Sequence, residues 1–267
     1  MNSLSREQVS SASRIVVKVG SSSISGDNID QIGPLVDALS LAHGRGAEVV
    51  LVSSGAIATG MPYLKLGDRP TDLATQQAAA SVGQSLLISR YQNSLDRYDI
   101  VAGQVLLTAG DLDNATPRSN AQRAMDRLLD LGILPIVNEN DTVATHEIRF
   151  GDNDRLAALV AALIGADLLL LLSDVDALYT RPPELPGAER ISYVAPGDPL
   201  PGMEFGSTSV NGVGTGGAST KVSAARLAAA AGTGVLVTAT PLAASALRGE
   251  RVGTWFEPAD APFRRVW

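Results

Sequence analysis

The amino-acid sequence predicts an α/β fold, a three-layer α/β/α sandwich built around a mainly parallel, open sheet. Short apolar runs with the character of buried strands alternate along the chain with longer segments of helical periodicity. Strand–helix–strand units of this kind join parallel strands through right-handed crossovers. Polar and acidic residues collect where several predicted strands end, and open α/β sheets bind their ligands at that edge.

The composition limits the class of protein. A chain of 267 residues fits one large domain or two small ones, and it shows no linker, internal repeat or low-complexity segment, so we expect a single domain over residues 1–267. A net charge of −7 disfavours non-specific nucleic-acid binding and polybasic membrane attachment. The lack of cysteine excludes disulfides and thiolate catalysis. Because His43 and His146 are the only histidines, any metal should be bound through oxygen.

No targeting segment or membrane span is expected. Residues 1–13 are polar and Ser-rich and lack the apolar core of a signal peptide. No uncharged apolar run reaches the length needed to cross a bilayer. We therefore expect a soluble, cytoplasmic protein.

Hydrophobic patterning defines the elements of the first half. Apolar runs predict strands at 14–20, 47–52, 100–107 and 133–137. Helical periodicity predicts helices at 28–43, 71–97 and 118–131, with a polar connection at 108–117. The first helix is followed by Gly44 and Gly46, and glycine commonly ends helices. The second helix is rich in small residues around Gly83, so we expect it to pack closely, in the core or against another subunit.

The alternation continues through the second half. Strands are predicted at 167–172, 235–238 and 253–256, and helices at 155–164, 222–231 and 243–247. Asp152 and Asn153 are good N-cap types before the helix at 155–164. We also predict a short hairpin at 143–150 and a Pro- and Gly-rich surface excursion at 181–202.

Three polar groups fall in successive connections. They are Asn138-Glu139-Asn140-Asp141, Gly151-Asp152-Asn153-Asp154 and Ser173-Asp174. The first and third follow strands, and the second opens a helix. Loop capping and turn chemistry explain any one of these groups. Three in succession predict a binding site at the carboxyl ends of the strands.

Two lysines stand beside loops rich in glycine and small polar residues. Lys18 lies in an apolar strand directly before Gly20 and three serines, whose N–H and hydroxyl groups can form a small anion cradle. The alternative is an edge-strand lysine that protects against aggregation. Lys221 ends the glycine-rich loop 212–221 and falls in the first turn of a helix, where an anion is favoured. This loop is not a P-loop, because its lysine follows the hydroxyl residues, and a flexible surface loop is the alternative.

A further polar turn follows the second strand. Gly55 can let a ligand approach the backbone, and Ser54 offers a hydroxyl beside it. A tight strand-to-helix turn would explain Gly55 but not the paired serines that precede it.

Six segments together resemble the amino acid kinase family, and within it the branch that phosphorylates the γ-carboxylate of glutamate. They are VVKVGSS at 16–22, VSSGAIATG at 52–60, NEND at 138–141, FGDND at 150–154, LSDVDALYT at 172–180 and GTGGASTK at 214–221. The resemblance covers residues 14 to about 256. It implies a glutamate-binding part over about 14–165 and a nucleotide-binding part over about 166–267. Many members carry an additional C-terminal PUA domain, and the resemblance implies none within this sequence.

The resemblance also implies a reaction in which ATP and L-glutamate give γ-glutamyl phosphate and ADP. Mg²⁺ would bridge the ATP phosphates, and no protein ligand of the metal is singled out. The implied catalytic residues are Lys18, Lys221 and Asp154, with Asp154 orienting the lysines. The implied substrate-binding residues are Ser54, Asn138, Asp141, Asp152 and Asn153, with Asp141 facing the substrate ammonium. The implied nucleotide-binding residues are Lys18, Ser173, Asp174, Thr215, Gly216, Gly217, Ala218, Ser219, Thr220 and Lys221.

The family further implies a homo-oligomer, a dimer or tetramer, and feedback inhibition by L-proline. Two other functions stay open at this point. One is another small-acid kinase of the same fold, of the acetylglutamate kinase or aspartokinase type, which a substrate panel would separate. The other is a catalytically inactive amino-acid sensor, against which the presence of both Lys18 and Lys221 argues. Partners among nucleic acids or membranes are not expected from this acidic composition.

Overall fold

The computed structural model describes residues 4–144, 153–200 and 217–260. The strands in these ranges are β1 Arg14–Lys18, β2 Glu48–Val52, β3 Ala102–Leu107, β4 Leu134–Glu139, β5 Leu168–Ser173, β6 Leu178–Tyr179, β7 Arg190–Ile191, β8 Tyr193–Val194, β9 Gly234–Ala239 and β10 Thr254–Phe256. The α-helices are α1 Ile32–Gly44, α2 Ala56–Gly60, α3 Leu73–Leu95, α4 Ala109–Asp113, α5 Ala115–Asp130, α6 Asn153–Ile164, α7 Ala218–Ala230 and α8 Ala243–Leu247. Short 3-10 helices lie at Arg6–Ser11, Ser21–Ser23, Gly26–Gln31, Met61–Leu64, Asp96–Tyr98 and Thr240–Leu242. Within the described ranges, none of the helices has the length and apolar character needed to cross a membrane.

An eight-stranded sheet with the order β3-β4-β2-β1-β5-β9-β10-β8 forms the middle layer. The strands from β3 to β9 in this order are parallel to their neighbours. β10 pairs with β9 in antiparallel fashion, and β8 pairs with β10 in parallel. A separate antiparallel pair joins β6 and β7. The predicted fold class, a mainly parallel α/β sheet, is confirmed.

Side chains that alternate along the strands belong to two hydrophobic cores, one on each face of the sheet. Ile15 and Val17 of β1 belong to one core, which α1, α3 and α8 cover. Val16 belongs to the other core, which α5, α6 and α7 cover. Because successive side chains of a strand point to opposite faces, a strand covered on both sides must be apolar throughout. This is why the central strands read as uninterrupted apolar runs.

Helices α2 and α3 pack so closely that their backbones leave no room for a side chain at Gly60 or Gly83. A Cβ atom at Gly83 would collide with the carbonyl oxygen of Ala56, and one at Gly60 would collide with that of Ala79. These neighbours are backbone atoms and cannot move aside as a flexible side chain would. The close packing expected of the small residues in α3 is thus found within the subunit. It fixes α2, which begins directly after the Ser54-Gly55 turn.

The structure decides between the two alternatives for Lys18 and corrects one prediction in the first half. Lys18 is not an edge-strand lysine, because β1 lies between β2 and β5 in the middle of the sheet. The polar connection predicted at 108–117 holds α4 and the start of α5. Thr108 and Asp111 form a capping box there, with the Thr108 N–H donating to the Asp111 carboxylate at 2.7 Å and the Asp111 N–H donating to Thr108 Oγ1 at 3.2 Å. Such reciprocal bonds begin a helix without any apolar periodicity.

The second half also differs from the prediction at element ends. β4 extends to Glu139, so that Asn138 belongs to the strand. Among the described residues, helix α6 runs from Asn153, which is helical and therefore not a cap, while Asp152 lies outside them. Helix α7 begins at Ala218, earlier than predicted. The stretch 181–202 is not only a surface excursion, because β8 forms the edge of the main sheet there. Most of the hairpin predicted at 143–150 lies outside the described residues.

Candidate active site

Two lysines and one aspartate meet at the carboxyl end of the sheet. Lys18 is the last residue of β1, and its side chain shares the face of Val16 because the two are separated by two positions. That face is covered by α6, whose second residue is Asp154. Lys18 Nζ lies 2.5 Å from Asp154 Oδ1, and Lys221 Nζ lies 3.0 Å from Asp154 Oδ2. One carboxylate therefore holds both ammonium groups, one on each oxygen.

This cluster is buried, which makes its charge balance informative. The side chains of Lys18, Asp154 and Lys221 are 3 %, 0 % and 9 % exposed. Buried charges are tolerated in proteins when they are paired and hydrogen-bonded. Two ammonium groups and one carboxylate sum to one positive charge, beside the first turn of α6, whose N–H groups add positive potential. The arrangement favours an anionic ligand.

The beginning of α7 closes the cluster from the other side. Thr220 Oγ1 lies 3.3 Å from Asp154 Oδ2 and 2.9 Å from the carbonyl oxygen of Gly217, and its single hydrogen can be donated to either. Gly217 precedes the helix in an extended conformation, and Ala218 and Ser219 are exposed in its first turn. The described part of the segment predicted to bind nucleotide, residues 217–221, therefore lies against the buried aspartate.

A second group of polar side chains surrounds the end of β2. Asn153 Nδ2 lies 2.6 Å from the carbonyl oxygen of Ser53, 3.0 Å from Ser54 Oγ and 2.7 Å from Asn138 Oδ1. The Glu139 N–H also donates to Asn138 Oδ1, at 2.8 Å. Ser54, Asn138 and Asn153, three of the predicted substrate-binding residues, are thus in direct contact. Since Asn153 directly precedes Asp154, this group adjoins the lysine cluster.

The loops after β1 and β2 lie against each other. Gly55 has a φ of 96°, a left-handed conformation that favours glycine. A Cβ atom added at Gly55 would lie 3.5 Å from Ser21 Cα, so the two loops lie close together and a side chain at Gly55 would contact the loop after β1. The serine-rich turn after Lys18 and the Ser54 turn therefore form one continuous edge of the site.

The remaining predicted residues are distributed as follows. Ser173 ends β5, and its Oγ donates to Oδ1 of the exposed Asp174 at 3.0 Å. β5 pairs in parallel with β1, which brings this end to the same edge as Lys18. Asp141 is half-buried in the turn after β4. Asp152, Thr215 and Gly216 lie outside the described residues. Among the residues that are described, no three His, Cys, Asp or Glu side chains are grouped so that they could hold a metal ion.

Two residues of the site's surroundings were not predicted. Gln84 Oε1 accepts a hydrogen bond from Asn138 Nδ2 at 2.7 Å, and the Tyr91 hydroxyl lies 2.9 Å from Ser53 Oγ. Both belong to α3 and are buried. The sequence signal was a glutamine and a tyrosine seven positions apart on a helix otherwise rich in small residues, a spacing that places them on one face.

The fold and site define a class of protein. Residues 13–239 match the amino acid kinase family, and the chain belongs to that family. It is 76 % identical over 258 residues to a glutamate 5-kinase of Clavibacter michiganensis subsp. michiganensis, a match that covers 97 % of this chain and 99 % of the relative. A glutamate 5-kinase of Leifsonia xyli subsp. xyli is 75 % identical, with 96 % and 94 % covered. A longer glutamate 5-kinase, of Thermobifida fusca, is 56 % identical over 98 % of this chain and 69 % of its own length.

A solved structure has the same fold at low sequence identity. The carbamate kinase from Giardia lamblia bound to AMP-PNP superimposes with a TM-score of 0.67 and is 16 % identical in sequence. The match covers 94 % of this chain and all of the other one.

Proposed function

We propose that this protein transfers the γ-phosphoryl group of ATP to the γ-carboxylate of L-glutamate, giving γ-glutamyl phosphate and ADP, the first step of proline biosynthesis. The observation that carries the proposal is the buried Lys18–Asp154–Lys221 cluster, in a chain closely similar to glutamate 5-kinases. In the reaction a γ-carboxylate oxygen bonds to the γ-phosphorus while the bond from that phosphorus to the β,γ-bridging oxygen breaks. No general base is needed, because the carboxylate is already ionised at neutral pH.

Phosphoryl transfer depends mainly on positioning and on positive charge around the moving group. Lys18 and Lys221 supply that charge from two elements, β1 and α7. Asp154 holds both ammonium groups in place, so that little reorganisation is needed when negative charge shifts. The N–H groups at the start of α6 add to the same potential.

The polar group around β2 suits the amino-acid substrate. Because Ser54 Oγ accepts a bond from Asn153, its own O–H can still donate, as a substrate carboxylate requires. Asn153 Nδ2 is committed to protein oxygens, so the group it can offer is its carbonyl oxygen, an acceptor for the substrate ammonium. Asp141 supplies the negative charge opposite that ammonium, and Asp152 belongs to the same proposed set. Asn138 acts by holding Asn153.

The nucleotide belongs to the C-terminal part, about 166–267 in the proposed division, and glutamate to the part before it. Ser173 ends β5 and Asp174 follows it, and residues 217–221 form the start of α7 beside Asp154. A Mg²⁺ ion that would bind together with ATP belongs to the proposal. This ion keeps several waters and takes few protein ligands, all oxygen, and the exposed Asp174 carboxylate is a donor of that type. When bound, the ion neutralises charge on the phosphate oxygens.

The direct test is an ADP-release assay with ATP and a panel of free amino acids together with N-acetylglutamate. Turnover with L-glutamate, and much less with N-acetylglutamate or aspartate, is the expected result. An N-acetylated substrate has no ammonium and would leave the Asp141 carboxylate facing a neutral amide. Preferential turnover of either competitor would point to one of the other kinases of this fold, and no turnover with any of them would support a sensor.

Asp141→Asn tests the proposed ammonium contact. The change keeps size and hydrogen-bonding capacity but removes the charge, so we expect glutamate KM to rise by about tenfold or more while ATP KM changes little. The loss corresponds to about 1.5–3 kcal/mol, the range for a hydrogen bond to a charged group. Asp174→Asn is the matched control at the nucleotide side and should raise ATP KM instead. An Asp141 variant with weaker ATP binding and unchanged glutamate KM would move this residue to the metal or nucleotide site.

We extend the proposal to feedback inhibition by L-proline in the glutamate pocket. Proline has an ammonium and a carboxylate on the same carbon, as glutamate does, and can use the same partners. Glutamate titrations at several fixed proline concentrations should give inhibition that high glutamate overcomes, and Asp141→Asn should weaken it. Inhibition that glutamate cannot relieve, and that Asp141→Asn leaves unchanged, would place the proline site elsewhere. We also propose that the protein forms a homo-oligomer and that it is cytoplasmic, because ATP and glutamate are available there.

A further inference from the structure

Helix α3 contacts the polar group of the site at two points. Gln84 reaches Asn138 at the end of β4, and Tyr91 reaches Ser53 at the end of β2. The contacts lie two helical turns apart on one face, with Leu87 buried between them. Both strand ends that carry the proposed substrate residues are therefore fastened to one helix.

The orientation of each amide in this chain of contacts is determined. The Glu139 backbone N–H can only donate, so the Asn138 atom it meets must be the carbonyl oxygen Oδ1. Asn138 Nδ2 then faces Gln84, and the atom it meets must be the acceptor Oε1. The same Asn138 Oδ1 accepts from Asn153 Nδ2, which also reaches Ser54 Oγ. The Glu139 N–H thus fixes which end of the Asn138 amide faces which partner, Gln84 holds the other end in place by accepting its N–H, and Asn138 in turn orients Asn153.

Burial makes this chain of bonds costly to break. Asn138 is 2 % exposed and Gln84 is 9 % exposed. A buried N–H without an acceptor has given up its hydrogen bonds to water and gains no other bond, which is unfavourable. Asn138 would therefore turn or shift if Gln84 lost its oxygen. Burial also raises the pKa of the Tyr91 phenol, which keeps its hydroxyl neutral beside Ser53. Neither α3 side chain is among the residues proposed to bind glutamate or ATP.

We propose that Gln84 is a positioning residue for the amino-acid substrate: through Asn138 it holds Asn153 and Ser54 in the geometry that binds glutamate. Tyr91 supports the same loop through Ser53. The inference rests on the proposed function, since it concerns the glutamate side of that reaction. Gln84 itself does not contact the substrate. Its effect is on glutamate binding and not on the lysine cluster that acts on the phosphoryl group.

Gln84→Met tests the inference, because methionine has nearly the same length but no acceptor oxygen. We expect glutamate KM to rise about tenfold, which is typical of losing one buried hydrogen bond. ATP KM and kcat should stay within about threefold of the wild type, because the lysine cluster is not touched. Tyr91→Phe removes only the hydroxyl and should raise glutamate KM by a smaller factor. The rise in Tm produced by added glutamate should be largest for the wild type, smaller for Tyr91→Phe and smallest for Gln84→Met.

Gln92→Met is the matched control on the same helix. The Gln92 side chain donates to Asp96 and to the Ile100 carbonyl and accepts from the Ala102 N–H, away from the site. Its loss should lower Tm without changing glutamate KM. Equal rises of glutamate KM in the Gln84 and Gln92 variants, or no rise in Gln84→Met, would overturn the inference. Failure of the wild type to turn over glutamate would instead refute the proposed function, and this inference with it.

Discussion

Lys221→Ala is expected to lower kcat by roughly 10²-fold or more, the size of effect found when one preorganised charge is removed from a reacting centre. The lysine lies 3.0 Å from the Asp154 carboxylate, and its side chain is only 9 % exposed. Its charge therefore acts where little water is present to screen it, and water that enters the space would not replace it. Steady-state kinetics with saturating ATP and glutamate would measure the change. Lys18→Ala should behave in the same way from the side of β1.

Lys65→Ala provides the control for this prediction. Lys65 is exposed after the short helix that follows α2, so the same substitution should leave kcat close to that of the wild type. Circular dichroism and Tm would establish that the Lys221 variant is folded. A folded Lys221→Ala protein with near-native turnover would remove this lysine from the mechanism.

Asp154→Asn is expected to reduce both stability and turnover. It leaves two buried ammonium groups without their carboxylate, and removing one partner of a buried ion pair costs about 3–5 kcal/mol in the free energy of unfolding. The lysines would also move apart, since each is held by one oxygen of Asp154. We expect kcat to fall by about 10²–10³-fold. Denaturant unfolding and initial-rate assays would measure the two effects separately.

A double variant separates stability from chemistry. Asp154→Asn combined with Lys221→Met removes one of the two unpaired charges, so part of the lost stability should return while turnover stays low. The cycle formed by the two single variants and the double variant would give their coupling energy. Near-native turnover in a folded Asp154→Asn protein would show that the lysines need no carboxylate to be positioned.

The sequence singled out several polar residues that meet in the structure, but it did not show which of them contact one another. Lys18 stood out because a lysine in an apolar strand must either reach water or meet an anion, and Asp154 was predicted from the resemblance to the amino acid kinase family. The alternative of an edge-strand lysine could be removed only when β1 was found in the middle of the sheet. Asn138 was predicted to bind substrate, but the sequence could not show that its amide is already bound to Gln84.

The limits of the prediction follow from the range of each signal. The α4 capping box between Thr108 and Asp111 is a local signal, but it is polar. Hydrophobic periodicity therefore predicted a connection at this position and not a helix. The β8 strand is only two residues long, and its pairing with β10 depends on a partner sixty residues later in the chain.

The sequence by itself determined the fold class, the strands and helices of the core, and the polar residues at the strand ends, because hydrophobic periods and turn residues act over a few neighbouring positions. Only the tertiary structure decided which of these residues meet. Lys221 reaches Asp154 across 67 positions of the chain, and Gln84 reaches Asn138 across 54. Contacts of this kind follow from the parallel strand order, which brings the ends of β1, β2, β4 and β5 to one edge, and from the packing of α2 on α3. No local pattern specifies them, because each depends on the position of every element between the two residues.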